Sequence, residues 1–134
     1  MQFEWTSELE TGCPRIDGQH KQLIATLEEF QVACKRGVQG VELKKILDFL
    51  VDYTITHFAD EEEFQLKYNY PDYERHKLLH DDFKIVASGL AERLMKEGAS
   101  VDIVVEIHFI IGKWLVCHIK EEDRKIALHA RAYT

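Results

Sequence analysis

A chain of 134 residues, 46% of them hydrophobic, suits one compact domain with a single core and leaves no room for a second. Its 24 acidic against 17 basic residues give a formal charge of -7, which argues against nucleic acid or an anionic membrane surface as a partner. Three scattered cysteines, Cys13, Cys34 and Cys117, form neither a disulfide framework nor a paired-cysteine metal motif, so reduced thiols are expected.

The opening stretch MQFEWTSELETG is acidic and lacks the basic start and apolar run of a secretory signal. Nowhere is there a run of roughly 18 apolar residues able to span a bilayer. No membrane insertion and a cytoplasmic location are the expectations. Residues 1–16 read as an irregular arm, followed by four helical patterns over about residues 17–129, with no strand signal.

The first helix is expected after Asp17 as N-cap, with His20, Leu23, Ile24, Leu27, Phe30 and Cys34 on one face, until Gly37 and Gly40 end it. The second, from about Val41 to Tyr68, turns Ile46, Leu50, Tyr53, His57, Glu61 and Phe64 to one side. Pro71 breaks the chain and Asp72 is placed to cap the third, whose stripe is His76, His80, Phe83, Ala87, Leu90 and Leu94, closed by Gly98. Ser100 or Asp102 can cap a fourth that carries Val104, Ile107, Ile111, Leu115 and His118. Short loops between long helices join antiparallel neighbours. The fold class that follows is all-α, an antiparallel up-down-up-down four-helix bundle in one domain over residues 1–134.

Chemistry enters where these stripes turn polar. His57 and Glu61, and likewise His76 and His80, are four residues apart and share a helix face, so each pair can converge on one metal or bridge two. An antiparallel bundle puts His20, early in the first helix, level with His57 and Glu61 late in the second. The same geometry sets His76 and His80 level with His118. With Asp123, five imidazoles and two carboxylates gather at one end. Buried groups of this kind cost several kcal/mol unless satisfied, and two cations would satisfy them.

These segments resemble the hemerythrin family, in particular the single-domain bacterial hemerythrins, from about Phe3 to Leu128. WTSELETG and RIDGQHKQL look like the arm and first ligand segment; HFADEE, HKLLH and WLVCHIKEED look like the second, third and fourth. Each motif alone is weak, and their joint order on four helices is specific. The resemblance implies two non-haem iron ions. His76, His80 and His118 would bind one, His20 and His57 the other, and Glu61 and Asp123 would bridge them with an oxo or hydroxo group. The iron with two histidines keeps an open position for dioxygen.

Leu23, Phe58, Trp114, Leu115 and Ile119 resemble the apolar residues that wall the family's gas pocket, and they read equally well as ordinary core. Asp123 stands five residues after His118, about 140° off its direction on an ideal helix, whereas Glu122 points the right way. The resemblance favours Asp123, with the helix ending, tightening or bulging between them, and Glu122 stays the rival. Glu62 and Glu63 read as a solvated face, His108 as a hydrogen-bonded core residue, His129 as a solvated tail residue, and Cys117 as pointing away from the ligands.

Bundle di-iron oxygenases use carboxylate-rich sites with Glu-x-x-His motifs, and no such motif occurs here. A set rich in neutral imidazoles leans towards reversible binding. Three readings stay open: a dioxygen-binding protein, not an enzyme, for transport, storage or delivery to an oxygen-using enzyme; a sensor of oxygen or redox state acting through a signalling partner; and peroxide or nitric oxide handling or iron storage.

Overall fold

In the computed structural model, which describes residues 3–38 and 40–132, the polypeptide forms an all-α antiparallel four-helix bundle, with no strand among the described residues. The helices are α1 (Pro14–Lys35), α2 (Gly40–Lys67), α3 (Tyr73–Glu97) and a fourth helical run, α4, over residues 101–131. Helices consecutive in sequence pack side by side, α1 on α2, α2 on α3 and α3 on α4. No helix among the described residues is long and apolar enough to cross a membrane.

The arm holds a single 3-10 turn, Ser7–Leu9, that buries Leu9. α1 begins at Pro14 rather than after Asp17, because proline is favoured at the first helical position, where its missing N–H would be unpaired anyway. Asp17 is therefore not the N-cap. It lies one turn inside, and its carboxylate reaches back to accept from Thr11 N (2.8 Å), Thr11 Oγ1 (2.7 Å) and Gly12 N (3.2 Å), tying the arm to the helix. Of the expected α1 stripe, His20, Leu23, Ile24, Leu27 and Phe30 are buried and Cys34 is half-buried.

On α2 the expected Leu50, His57 and Glu61 are buried, but the neighbours Leu47, Thr54 and Gln65 take the inner places expected of Ile46, Tyr53 and Phe64. The buried row is Leu43, Leu47, Leu50, Thr54, His57, Phe58, Glu61 and Gln65, while Ile46, Tyr53 and Phe64 are only half-buried. The 28-residue helix packs against both α1 and α3, and the two stripes share Leu50, His57 and Glu61 while their other members differ by one position. Asp72 occupies the N-cap position of α3 but makes no capping bond; its carboxylate pairs with Arg75 at 3.3 Å. The α3 stripe from His76 to Leu94 is buried as expected, and Gly98 closes the helix at φ 79, a left-handed conformation that glycine enters without strain.

Ser100, rather than Asp102, caps α4 by accepting from Ile103 N. α4 is built of α segments Val101–Ile107, Trp114–His118 and Arg124–Arg131 joined by π turns His108–Lys113 and Ile119–Asp123. Its buried row is Ile103, Ile107, Ile111, Leu115, Ile119 and Asp123, one residue every four, with Val104 half-buried. At 3.6 residues per turn a four-residue step overshoots by about 40°, so this row would wind off the core of a straight α-helix. Each π turn closes at i+5 instead of i+4 and takes up that drift. In the first π turn the buried Gly112 leaves the space that the Phe3 ring of the arm fills; a Cβ there would stand inside the ring.

The core runs the length of the bundle through Leu43, Leu47, Leu50, Leu94, Ile103 and Ile107 at the apolar end to Leu23, Phe58, Leu115 and Ile119 at the polar end. Each such side chain contributes roughly 1.5–3 kcal/mol on burial. That apolar packing supports the polar groups described next.

Candidate metal centre

His20 in the second turn of α1, His57 and Glu61 late in α2, His76 and His80 early in α3, and His118 and Asp123 late in α4 come together at one end of the bundle. All seven side chains are buried. Their donor atoms form two adjoining groups. Glu61, His76, His80, His118 and Asp123 each bring one atom within 4.8 Å of the others, as do His20, His57, Glu61 and Asp123.

Both carboxylates belong to both groups, and each divides its oxygens between them. Glu61 Oε1 lies 3.2 Å from His76 Nε2 and 3.2 Å from His80 Nε2, while Oε2 lies 3.4 Å from His20 Nε2 and 3.0 Å from His57 Nε2. Asp123 Oδ1 lies 3.1 Å from the Nε2 atoms of His76 and His118, and Oδ2 lies 2.8 Å from His20 Nε2. The helix bulges between His118 and Asp123, one of the departures the sequence reading allowed: the second π turn, Ile119–Asp123, carries Asp123 inward. Glu122 faces outward instead and accepts from Arg75 NH2 at 2.5 Å.

These close approaches are not hydrogen bonds. The Nε2 atoms of His20 and His57 and all four oxygens of Glu61 and Asp123 are buried without an aligned partner, as expected of donors aimed at shared points between them. His118 Nε2 lies 3.0 Å from His76 Nε2 and 3.2 Å from His80 Nε2. Facing nitrogen lone pairs repel, whereas donors at right angles on one cation with bonds of about 2.1 Å would stand roughly 3 Å apart. The donor set therefore fits a cation in each group, in a place where an unpaired buried charge costs several kcal/mol.

Electrostatics agree with this fit. Burial opposes a charged imidazole at His20 and His76, but Asp123 and Glu61 outweigh it and raise both pKa values to about 9. Burial likewise opposes a charged Glu61, yet the surrounding His57, His20 and His76 hold its carboxyl well below the usual range. Asp123 is held low against both burial and the neighbouring Glu61 charge by His118 and His20. In the absence of a metal, protons on His20 and His76 take up part of the cation's role.

The family model described as the hemerythrin HHE cation binding domain matches residues 11–128. The chain belongs to the hemerythrin family. Its relatives include the bacteriohemerythrin of Stenotrophomonas maltophilia (strain R551-3), 33% identical over 129 residues that cover 96% of this chain and 82% of that protein. The bacteriohemerythrin of Methylococcus capsulatus (strain ATCC 33009 / NCIMB 11132 / Bath) is 31% identical over 121 residues, 90% of each chain. A hemerythrin-like protein of Naegleria gruberi is 34% identical over 123 residues, 92% of this chain and 89% of that one.

Around this hemerythrin cluster the apolar residues singled out from sequence lie against its rings. Phe58 stacks on His80, with centroids 3.7 Å apart and planes 3° from parallel. Trp114, half-buried, is sandwiched between His118 (4.4 Å, 10°) and Phe83 (4.2 Å, 20°). Leu23, Leu115 and Ile119 are fully buried.

Several polar neighbours were missed. Glu62 is not on a solvated face: its Oε2 lies 2.9 Å from His80 Nδ1. Gln19 Oε1 lies 2.5 Å from His57 Nδ1, and Gln19 Nε2 donates to Asp60 Oδ2 at 2.7 Å. Gln65 is wholly buried one turn beyond Glu61, its amide atoms without a hydrogen-bond partner among the described residues. The signal for Gln65 was its four-residue step from Glu61; Gln19 and Glu62 carried none, since their partners sit on other helices. His129 is not a solvated tail residue either, because its ring approaches the Tyr68 carbonyl oxygen at 2.7 Å and packs edge-on against Tyr70. His108 is half-buried against Phe3 and Phe109, and Cys117 is exposed, away from the cluster.

Proposed function

We propose that the protein binds dioxygen reversibly at a non-haem di-iron centre, for transport, storage or delivery of the gas to an oxygen-using enzyme. The observation that carries this reading is the unequal division of the cluster, three imidazoles facing one half and two the other, with both carboxylates shared. His76, His80 and His118 would hold one iron and His20 and His57 the other. Glu61 and Asp123 would bridge them beside a solvent-derived oxo or hydroxo group. The half with two imidazoles has one protein donor fewer, which leaves room there for a small gas. When bound, the iron pair supplies the electrons a reversible oxygen adduct requires.

The chain's own residues do the rest. Neutral imidazoles outnumber carboxylates, a donor set that disfavours the highly oxidised metal needed to break the oxygen–oxygen bond. Leu23, Phe58, Trp114, Leu115 and Ile119 wall the site and keep water and protons away from the bound gas. We read the protein as an oxygen binder rather than an enzyme, working in the cytoplasm, without nucleic acid or membrane insertion as part of its task; its charge of -7 supports the exclusion of polyanions.

The test is metal analysis together with optical spectra of the reduced protein before and after admitting air. Two irons per chain and a spectrum that reverses on removing oxygen are expected. A colourless protein that steadily consumes oxygen overturns the reading. His80→Ala should lose metal and stability together, because metal binding is coupled to folding.

A further inference from the structure

We infer that Glu62 and Gln19 give the two halves of the site different electron-donating strength, Glu62 acting through His80 and Gln19 through His57. The inference rests on the di-iron reading and deepens it: neither residue would touch metal, and both are positioning residues.

The geometry of the outer nitrogens carries it. A carboxylate can only accept, so His80 Nδ1–H donates to Glu62 Oε2 across 2.9 Å. Gln19 presents its oxygen to His57, because its amide nitrogen must face the acceptor Asp60. His57 Nδ1–H therefore donates to a neutral amide. Both bonds fix the same tautomer and aim Nε2 into the cluster, but only one of them involves a negative charge. Asp60, the carboxylate behind Gln19, is offset by Arg15 at 3.3 Å. Glu62 has no such close counterion among the described residues: Lys77 feels its charge but is held by Asp81 at 2.9 Å. The Glu62 side chain is 13% exposed and that of His80 is wholly buried, so solvent screens the pair weakly.

A charge-assisted hydrogen bond is roughly twice as strong as a neutral one. Drawing the Nδ1 proton towards a carboxylate makes the ring a better donor at Nε2 and raises ligand basicity, as outer partners of metal-bound histidines do. His80 belongs to the half with three imidazoles, so that half is both richer in ligands and electronically reinforced. His57 belongs to the other half and gets orientation without the added charge. The outer nitrogens of His20 and His76 are buried with no hydrogen-bond partner among the described residues, so they do not even out the difference. The three-histidine iron is then the one stabilised in the oxidised state.

Three variants separate charge from mere support. Glu62→Gln keeps an acceptor for His80 and removes the charge; Glu62→Ala removes both; Gln19→Glu adds a charge on the other side. In Glu62→Gln both irons are retained, and the oxidised-to-reduced ratio at a fixed potential falls about tenfold, equivalent to 59 mV for a one-electron couple. Gln19→Glu moves the ratio the opposite way. Glu62→Ala weakens iron binding about 10- to 100-fold, and Glu62→Gln restores that affinity but not the potential. Nitrogen-15 spectra of the metal-free protein should show His80 fixed as the Nδ1–H tautomer, and Glu62→Ala should release it. Two irons with unchanged potentials in Glu62→Gln and Gln19→Glu overturn this inference alone. A wild-type protein that takes up no iron overturns the proposed function and this inference with it.

Discussion

Phe58 and His80 lie ring on ring, 3.7 Å between centroids and 3° from parallel, although one stands on α2 and the other on α3. The contact restrains the plane of the imidazole and covers that side of the cluster. Truncation in Phe58→Ala should cost about 3–5 kcal/mol, as for other buried aromatic residues, measured by urea unfolding. Under the proposed function, the milder Phe58→Leu should keep its iron but lose its oxygenated spectrum to oxidation faster than wild type, because water gains access. Equal lifetimes in air would mean the ring has only a packing role.

Asp123 and Glu122 are neighbours in sequence with opposite fates. Asp123→Asn should lose most of the bound metal, since it removes one of the two carboxylates shared by the groups. Glu122→Gln removes a surface ion pair with the half-exposed Arg75, worth about 0–1 kcal/mol, and should leave metal content unchanged. Atomic absorption on the two purified variants decides it. Metal loss in Glu122→Gln with full occupancy in Asp123→Asn would reverse the assignment.

Stability should depend on pH in opposite ways with and without metal. In the metal-free protein His20 and His76 are raised from 6.5 to about 9, so their contribution is complete below about pH 6.5 and fades as pH rises through 9. Glu61 and Asp123 are lowered from 4.5 and 3.8, so their contribution is present above those values and is lost on acidification. The metal-free protein should therefore melt at its highest temperature between about pH 4.5 and 6.5. Metal needs unprotonated imidazoles, so loading should release protons and strengthen as pH rises from 6.5 to 9. Melting temperatures with chelator and with iron should nearly coincide towards pH 4 and separate as pH rises towards 10.

Gly112 is required by Phe3 rather than by its own backbone. Gly112→Ala should destabilise by about 1–3 kcal/mol through overpacking, and Phe3→Ala should relieve part of that cost in the double variant. A double-mutant cycle by thermal unfolding measures the coupling; additive effects would mean the arm does not rest in this notch.

The cluster was legible in sequence because His57, Glu61, His76 and His80 repeat at the helical period and because antiparallel order aligns them with His20 and His118. What periodicity could not give was any contact between helices. Glu62 looked solvated because its own helix turns it outward, yet α3 brings His80 to it. His129 looked like a tail residue because nothing local marks the Tyr68 carbonyl as its partner. Asp17 looked like a cap because helix starts are read from residue type, and Pro14 overrode it. On α2, Leu50, His57 and Glu61 were read correctly, but Ile46, Tyr53 and Phe64 were preferred as apolar to the Thr54 and Gln65 that the neighbouring helices cover. The inward turn of Asp123 was written in the four-residue row from Ile103 onward, a spacing no straight α-helix can keep facing one way.

That row gives chain length a meaning separate from residue identity. Each π turn holds one residue more than an α-turn uses, so deleting any one residue of Ile119–Asp123 would let the segment close as ordinary α-helix. Removal of any of them but Asp123 itself would set Asp123 four residues after His118, and Asp123, Ile126, Ala127 and Ala130 would keep roughly their present directions. Exchanging side chains one at a time in this segment tests only what each residue is. Losing a single codon from an α segment of α4 would turn all the later residues by about 100°, whereas losing one inside a π turn would be absorbed where it occurs.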